Sequence, residues 1–192
     1  MKRKVVILDT CLACVWLEVP RKEVVGADND QWDTARVQCE ITALIDEGYE
    51  IVLPIAVMIE MGNHIAQIKQ DNRVEYIERF RSMMSDALAG TSPWILFNNQ
   101  NELWKRDRLM PLIDTWKTLN EQGEKHSLGD VSILGIASYY RKAGYEVAIL
   151  TADCLLKAYE QVDLWPISPQ TSSAFEHLVE DEPLVPRRKK RK

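Results

Sequence analysis

Four acidic residues lie where the surrounding sequence is apolar. Asp9 ends the run VVIL, Glu60 lies within LPIAVMIEMG, Asp130 begins DVSILGIASYY, and Asp153 follows an apolar run in AILTADCLL. A carboxylate at the end of a buried strand is costly to desolvate unless a positive group or water compensates it. Each acid also has a structural explanation, because aspartate is favoured at helix N-caps and Glu60 could lie on an exposed strip of a helix.

Taken together, the four acids predict a metal site. Several carboxylates at one edge of a sheet repel each other and cannot all ionise unaided. Mg²⁺ or Mn²⁺ would neutralise them, since both ions prefer oxygen ligands. The sequence has no Gly-rich phosphate loop, and its three histidines, His64, His126 and His177, are widely spaced. A site made only of carboxylates therefore favours phosphodiester hydrolysis by metal-activated water.

The elements that must position these acids alternate between strand and helix. Apolar runs predict strands at about 4–9, 49–54, 92–97, 145–150 and 162–168. Helical periodicity and end signals predict helices at about 10–19, 31–48, 55–70, 73–89, 101–120, 128–143 and 153–160, with loops at 20–30 and 121–127. This order predicts an α/β fold with a mainly parallel sheet of about five strands, covered on both sides. Ligands bind beyond the carboxyl ends of such strands, which is where Asp9 and Asp153 are expected.

Composition indicates one domain and an uneven charge. The 192 residues are 46% hydrophobic, enough for one sizeable core. The net charge is −5, but the tail RRKKRK carries six positive charges, which leaves −11 for the rest of the chain. A basic tail on an acidic body favours a polyanionic partner, although a solvated, disordered end over 180–192 is as consistent with composition. The tail residues are Arg187, Arg188, Lys189, Lys190, Arg191 and Lys192.

Targeting signals and cysteines bear on the cellular location of the protein and on its possible redox or zinc chemistry. No apolar run approaches the roughly 18 residues of a membrane span. Asp9 interrupts the basic and apolar start MKRKVVIL, and no small-residue cleavage site follows, so we expect a cytoplasmic protein without a membrane partner. Cys11 and Cys14 form a C-x-x-C, which would suit a redox pair or half of a zinc site. Two small buried side chains on one helical face is the favoured interpretation.

The order of these motifs resembles the PIN domain, whose most familiar members are bacterial VapC-type toxin ribonucleases. The likeness covers about 4–167 and depends on a hydrophobic strand ending in DT, an acid in MIEMGN, then GDVSILGIASYY and AILTADCLL. The pair D-x-x-I/L-x-x-x-A and T-x-D-x-x-L is its most specific part. Segment 70–126, with two long helices, is longer than in compact toxin-type members, which leaves substrate choice open.

The resemblance implies a doubly wound three-layer α/β/α nuclease domain over 1–170 and Mg²⁺- or Mn²⁺-dependent RNA cleavage. Asp9, Glu60, Asp130 and Asp153 would form the acidic quartet around the metal. Thr10 and Thr151 would orient water or carboxylates. RNA, single-stranded or structured, would be the substrate, and a cognate antitoxin and a homodimer are further expected partners.

Other functions stay open at this point. A non-catalytic nucleic-acid-binding or scaffold protein of the same fold is the principal alternative. A thiol-based redox protein would use Cys11 and Cys14 and would not need Asp130 or Asp153. A phosphatase built on a strand-end aspartate usually has a second acid two residues later, where this chain has Cys11. Cationic residues of the segment WKRDR, namely Lys105, Arg106 and Arg108, could assist RNA binding, although a solvated helix face is the favoured explanation of them.

Overall fold

A computed structural model describes residues 2–123, 125–162 and 164. The strands are β1 (Lys4–Leu8), β2 (Val24–Ala27), β3 (Asp30–Asp33), β4 (Tyr49–Leu53), β5 (Trp94–Leu96) and β6 (Glu146–Leu150). The helices are α1 (Thr10–Trp16), α2 (Thr34–Asp46), α3 (Ile55–Ala66), α4 (Gln70–Ala89), α5 (Gln100–Leu103), α6 (Arg106–Glu121), α7 (Leu128–Lys142) and α8 (Cys154–Ala158).

The main sheet is parallel and has four strands in the order β5-β4-β1-β6. Its centre is β1, which pairs in parallel with β4 on one side and with β6 on the other, so that Ile7 lies between Val52 and Ile149. Val5, Val6, Ile7 and Leu8 are almost fully buried, which is why this strand has no alternation of apolar and polar residues. The α/β class and the parallel sheet predicted from the sequence are confirmed.

The helices cover a sheet that is buried on both faces, and the arrangement is compatible with a three-layer α/β/α fold. Helices α1, α2 and α3 pack near one another along the β1-to-β4 half of the chain, whereas α7 packs on β6 and β1. α7 is the most buried helix, with nine buried residues between Val131 and Tyr140. This helix carries the predicted site residue Asp130 in its first turn.

A small hairpin corrects the loop predicted at 20–30 and the helix start predicted at 31. β2 and β3 pair antiparallel, with Val25 opposite Trp32, and α2 begins only at Thr34. The strands have four residues each and are mostly exposed, so they show no clear apolar alternation in the sequence. Gly26 has φ 99°, and a Cβ there would collide with the carbonyl oxygen of Asp30, which is why this position requires glycine.

Several helix boundaries also differ from the prediction, because α1 ends at Trp16, α3 ends at Ala66, and two later helices change as follows. The single helix predicted at 101–120 is two helices, α5 and α6, separated at Trp104 and Lys105. The helix predicted from 73 begins earlier, at Gln70, and ends at Gly90 in the left-handed conformation, with φ 66°. Left-handed glycine is a common helix terminator.

Two predictions lie outside the described residues. They are the fifth strand at 162–168, of which only Val162 and Leu164 are described, and the tail over 180–192. Among the described helices, none combines the length and the apolar character needed to cross a bilayer.

Candidate metal and nuclease site

The strand order creates a crevice at the carboxyl ends of β1 and β6. From β1 the chain moves outward to β4 and β5, and then returns to place β6 on the other side of β1. Ligands bind preferentially at such a reversal, beyond the carboxyl ends of the strands. Asp9 directly follows β1, and Thr151 directly follows β6. The topology thus brings together two parts of the chain that are about 140 residues apart.

Asp9 is a buried N-cap with a complete set of hydrogen bonds. Its side chain is almost inaccessible, and it begins α1 by accepting a hydrogen bond from the Thr10 N–H at 2.6 Å. Its other oxygen accepts hydrogen bonds from Cys11 Sγ at 2.8 Å and Thr151 Oγ1 at 2.7 Å. Burial nevertheless raises the pKa of Asp9, and the nearby charge of Asp130 acts in the same direction. A positive charge would therefore be more favourable here than in water.

Thr151 links Asp9 to Asp153. Its hydroxyl donates to Asp9 Oδ2 and accepts a hydrogen bond from the backbone N–H of Asp153 at 2.9 Å. Asp153 is the N-cap of α8, and its Oδ1 accepts from the N–H groups of Leu155 and Leu156 at 2.8 and 3.4 Å. The structural explanation of Asp153 as a cap is therefore correct, and it leaves Oδ2 for another partner.

Thr10 links the same site to Glu60. The Thr10 hydroxyl donates to Glu60 Oε2 at 2.7 Å. The other oxygen, Oε1, lies against the backbone of Gly129 so closely that a Cβ at this position would collide with it. Glu60 on α3 thus reaches the first turn of α7, next to Asp130.

Asp130 is held in a capping box. Its carboxylate accepts from the Ser127 N–H at 2.7 Å, while Ser127 Oγ accepts from the Asp130 N–H at 3.0 Å. Asp130 is thus the third residue of α7 and not its N-cap, which is Ser127. The S-x-x-D spacing fixes the start of α7 and the position of Asp130 in its first turn.

Three of the four acids form one hydrogen-bonded network, Asp130 acts on Asp9 only through its charge, and the four do not form one ligand sphere. Asp9, Glu60 and Asp153 are connected through Thr10 and Thr151. Among the described residues, none of the four carboxylates pairs with a lysine or an arginine. No three described His, Cys, Asp or Glu side chains converge as metal ligands do.

The donor chemistry fits a hard divalent cation. Oxygen Oε1 of Glu60, Oδ1 of Asp130 and Oδ2 of Asp153 accept no hydrogen bond from the described part of the chain. Every side-chain group of the network other than Cys11 offers oxygen, which suits Mg²⁺ or Mn²⁺ better than a soft metal. Side-chain rotations would be needed to bring these oxygens to one point.

The two cysteines of the C-x-x-C are not a redox pair in this arrangement. Both are free thiols, and Cys14 is fully buried. Burial raises the pKa of Cys14 to about 12, and burial with the adjacent Asp9 carboxylate raises the pKa of Cys11 further still. Reactive thiols need a lowered pKa and an accessible sulfur. The prediction of two small buried side chains is confirmed for Cys14, whereas Cys11 is half-buried and donates its thiol hydrogen to Asp9.

The basic residues proposed to assist RNA binding are only partly available. Arg108 is 4% exposed and its Nη1 lies 2.7 Å from Oε2 of the buried Glu102, although the two groups are not aligned for a hydrogen bond. Lys105 contacts the same carboxylate at 2.7 Å. Suggesting Arg108 as a phosphate contact was therefore wrong, because a buried, paired guanidinium cannot reach solvent. The tail 187–192 lies outside the described residues.

Three contributors to the site were missed in the sequence: Cys11, Ser127 and Gly129. The Ser127 spacing to Asp130 is a readable capping signal. Glycine in the first turn of a helix, at Gly129, is unfavourable and so hints at a close approach. The Cys11 contact has no sequence signal beyond its nearness to Asp9. Comparison with protein-family models, with curated proteins and with solved structures finds no match to this chain.

Proposed function

We propose that this protein is a metal-dependent endoribonuclease with a PIN-like three-layer α/β/α fold. One observation carries the proposal. Four carboxylates gather at the carboxyl edge of a parallel sheet, at the reversal of strand order, and none of them has a cationic partner among the described residues. Structural acids do not need such a position, whereas acids that bind a cation do.

Asp9, Glu60, Asp130 and Asp153 would hold Mg²⁺ or Mn²⁺. When bound, such an ion would neutralise the acids, polarise a phosphodiester and lower the pKa of water. The chain supplies orientation for these ligands. Thr151 holds Asp9, and Thr10 holds Glu60, each by a hydrogen bond of 2.7 Å. These hydrogen bonds orient Asp9 and Glu60 toward the same region, and binding of an ion would complete the arrangement by rotating the remaining ligands.

An exposed apolar groove with a tryptophan at its edge lies beside the acids and favours single-stranded nucleic acid as the substrate. Trp104 is 71% exposed and lines a groove of about 500 Å³ together with Ile59, Leu128, Glu60 and Gly129. Unstacked bases bind aromatic side chains with about 1–3 kcal/mol each. A base held in this groove would lie next to the Glu60 carboxylate, so its phosphate would be near the acids. The expected antitoxin and homodimer stay predictions of the family resemblance.

Cleavage of a mixed RNA pool tests the proposal. Wild type with Mn²⁺ or Mg²⁺ should cut the pool, and a chelator should stop it. Asp9→Asn should lower the rate by about 100- to 1,000-fold, since a charge at the reacting centre is removed. The control Asp46→Asn replaces an exposed aspartate in the last turn of α2 and should cut like wild type. Equal activity of Asp9→Asn and wild type would contradict the proposal.

A second candidate is a non-catalytic nucleic-acid-binding protein of the same fold. It is favoured by the absence, among the described residues, of three side chains already arranged as metal ligands. The same assay separates the two functions. A protein that binds the RNA pool but leaves it uncut with both ions is the second candidate.

A further inference from the structure

A cationic pocket lies at the C-terminal end of α3, where the α1-to-β2 loop meets the start of α4. Its volume is about 400 Å³. The pocket is lined by Pro20, Arg21, Lys22, His64, Gln67, Ile68, Lys69 and Asn72. No lining residue is acidic, whereas three carry a permanent positive charge and His64 can take one.

The three cations have no acidic partner. Among the residues that the structure describes, Arg21, Lys22 and Lys69 form no ion pair. The nearby Arg73 differs, because its guanidinium binds the carbonyl oxygen of Ile68 at 2.8 and 3.0 Å. Three unpaired cations around one concave pocket repel each other unless an anion joins them.

The start of α4 adds to the positive potential. This helix has 20 residues, and its N-cap, Lys69, makes no side-chain capping hydrogen bond. The first N–H groups of a long helix therefore lack a side-chain partner and carry its partial positive charge. The acid in the first turn, Asp71, is exposed and does not line the pocket. The helix start alone would not identify a site, but it faces the pocket that the three cations already form.

The pocket and the acid network share helix α3. Glu60 and His64 are four residues apart on this helix, so their side chains lie on one face, one turn apart. Lys22 and Glu60 both act electrostatically on His64 and on the buried Cys14, so the pocket and the acid network lie close to the same groups. A chain of phosphates could therefore extend from the acids into the pocket.

We propose that this pocket binds a phosphate of the RNA backbone near the bond to be cleaved, an inference that rests on the proposed nuclease function. Lys22 and Lys69 are the principal contacts, Arg21 is the third cation, and His64 offers an N–H. The acids that attract the metal also repel the RNA backbone. A nearby cationic pocket would offset this repulsion and hold the backbone beside the acids. Phosphate contacts of this kind position the strand without reading its sequence.

Binding of a labelled single-stranded RNA oligonucleotide tests the pocket. The measurements use the full chain carrying Asp9→Asn, so that no cleavage occurs, and compare Lys22→Gln and Lys69→Gln with Lys125→Gln, an exposed lysine outside the pocket. Each pocket variant should weaken binding by about tenfold at low salt, and it should reduce the slope of log K against log salt by about 0.7. Inorganic phosphate at matched ionic strength should compete with the RNA in the parent but much less in the pocket variants.

A further variant removes a pocket cation without straining the fold. Arg21 adopts φ 69°, a left-handed conformation that glycine tolerates better than arginine does. Arg21→Gly should therefore keep the loop folded while weakening RNA binding. Pocket variants that bind RNA like Lys125→Gln, with the same salt slope, would overturn the inference even if wild type cleaves RNA. Wild type that cuts no RNA, while the pocket variants still lose binding, would overturn the nuclease function and leave the phosphate pocket supported.

Discussion

Two buried carboxylates in this protein have the same exposure but opposite surroundings. Glu102 is 6% exposed and lies within 2.7 Å of both Arg108 and Lys105. Asp9 is 5% exposed and is surrounded by a backbone N–H, a thiol and a hydroxyl, and no lysine or arginine of the described part of the chain pairs with it. Burying a charge is tolerable when an opposite charge or several hydrogen bonds compensate it. Glu102 is neutralised by Arg108 and Lys105, whereas neutralisation of Asp9 would require a bound cation.

Under the proposed function, this difference separates a structural acid from one that binds a metal ion. The Glu102 cluster joins the short helix α5 to α6, and its charges are satisfied without a ligand. The Asp9 network instead leaves negative charge at the carboxyl edge of the sheet, where the other three acids increase it. Removing the acid should thus harm the fold at one site and harm only the activity at the other.

The largest expected effect is on stability. Glu102→Gln leaves the buried guanidinium of Arg108 without its counter-charge and should cost about 3–5 kcal/mol of the free energy of unfolding. Asp9→Asn should be as stable as wild type or more so without metal, since it removes a buried charge. Urea denaturation in a chelating buffer measures both. Adding Arg108→Met to Glu102→Gln should recover much of the lost stability. If Glu102→Gln were as stable as wild type and Asp9→Asn were unfolded, the assignment of Glu102 as the structural acid would be contradicted.

The next effect separates activity from stability at Gly129. A Cβ there would collide with Glu60 Oε1, the end of a flexible side chain that can move away. Gly129→Ala should therefore lower RNA cleavage by about 10- to 100-fold through displacement of Glu60. The fold should gain up to about 1 kcal/mol, because alanine favours a helix over glycine.

Gly62 offers a matched control for this variant. It lies in α3, and a Cβ there would meet nothing within 4 Å. Gly62→Ala should leave cleavage unchanged. Equal cleavage by Gly129→Ala and wild type would show that Glu60 is not required where it lies.

A smaller effect is expected from pH. Burial raises the pKa of Asp9 above its ordinary value of 3.8. The proton is therefore bound more tightly in the folded state, and stability from Asp9 is present below 3.8 and is lost as pH rises through the raised pKa. Without metal, the advantage of Asp9→Asn over wild type should grow from acidic to neutral pH. An advantage that is constant with pH would mean that Asp9 has an ordinary pKa.

The smallest expected effect concerns thiol chemistry. Cys39 and Cys154 are exposed, whereas Cys14 is buried with its pKa raised to about 12. Alkylation of the native protein at neutral pH should label Cys39 and Cys154 rapidly and Cys14 only on unfolding. Peptide mapping by mass spectrometry measures the order. Fast labelling of Cys14 would revive the redox alternative.

The sequence alone predicted the parts of the fold that depend on long apolar patterns. The parallel strands β1, β4 and β6 and the long helix α7 lie close to their predicted places, because uninterrupted apolar runs and helical periodicity identify them. The β2–β3 hairpin was missed, since its strands are short and exposed. The break between α5 and α6 was missed because Trp104 fits a continuous helical pattern.

The sequence indicated which residues to consider for the candidate site, but not the hydrogen bonds that link them. Asp9, Glu60, Asp130 and Asp153 stand out by their apolar surroundings, and the sheet brings them to one edge. The links through Thr10 and Thr151 depend on side-chain rotamers that no spacing encodes. The burial and ion pairing of Arg108 could not be predicted either, because its partner Glu102 lies six residues away across a helix break.

Binding of Mn²⁺ in the absence of RNA tests most directly whether the four acids form a cation-binding site. Thermal unfolding of wild type, Asp9→Asn and Asp46→Asn is recorded in chelator and in increasing Mn²⁺. A ligand that binds only the folded state raises the melting temperature with concentration. The melting temperatures of wild type and Asp46→Asn should rise together with Mn²⁺ concentration, whereas that of Asp9→Asn should stay near its value in chelator. An equal rise in all three proteins, or no rise in any, would contradict a cation site at Asp9.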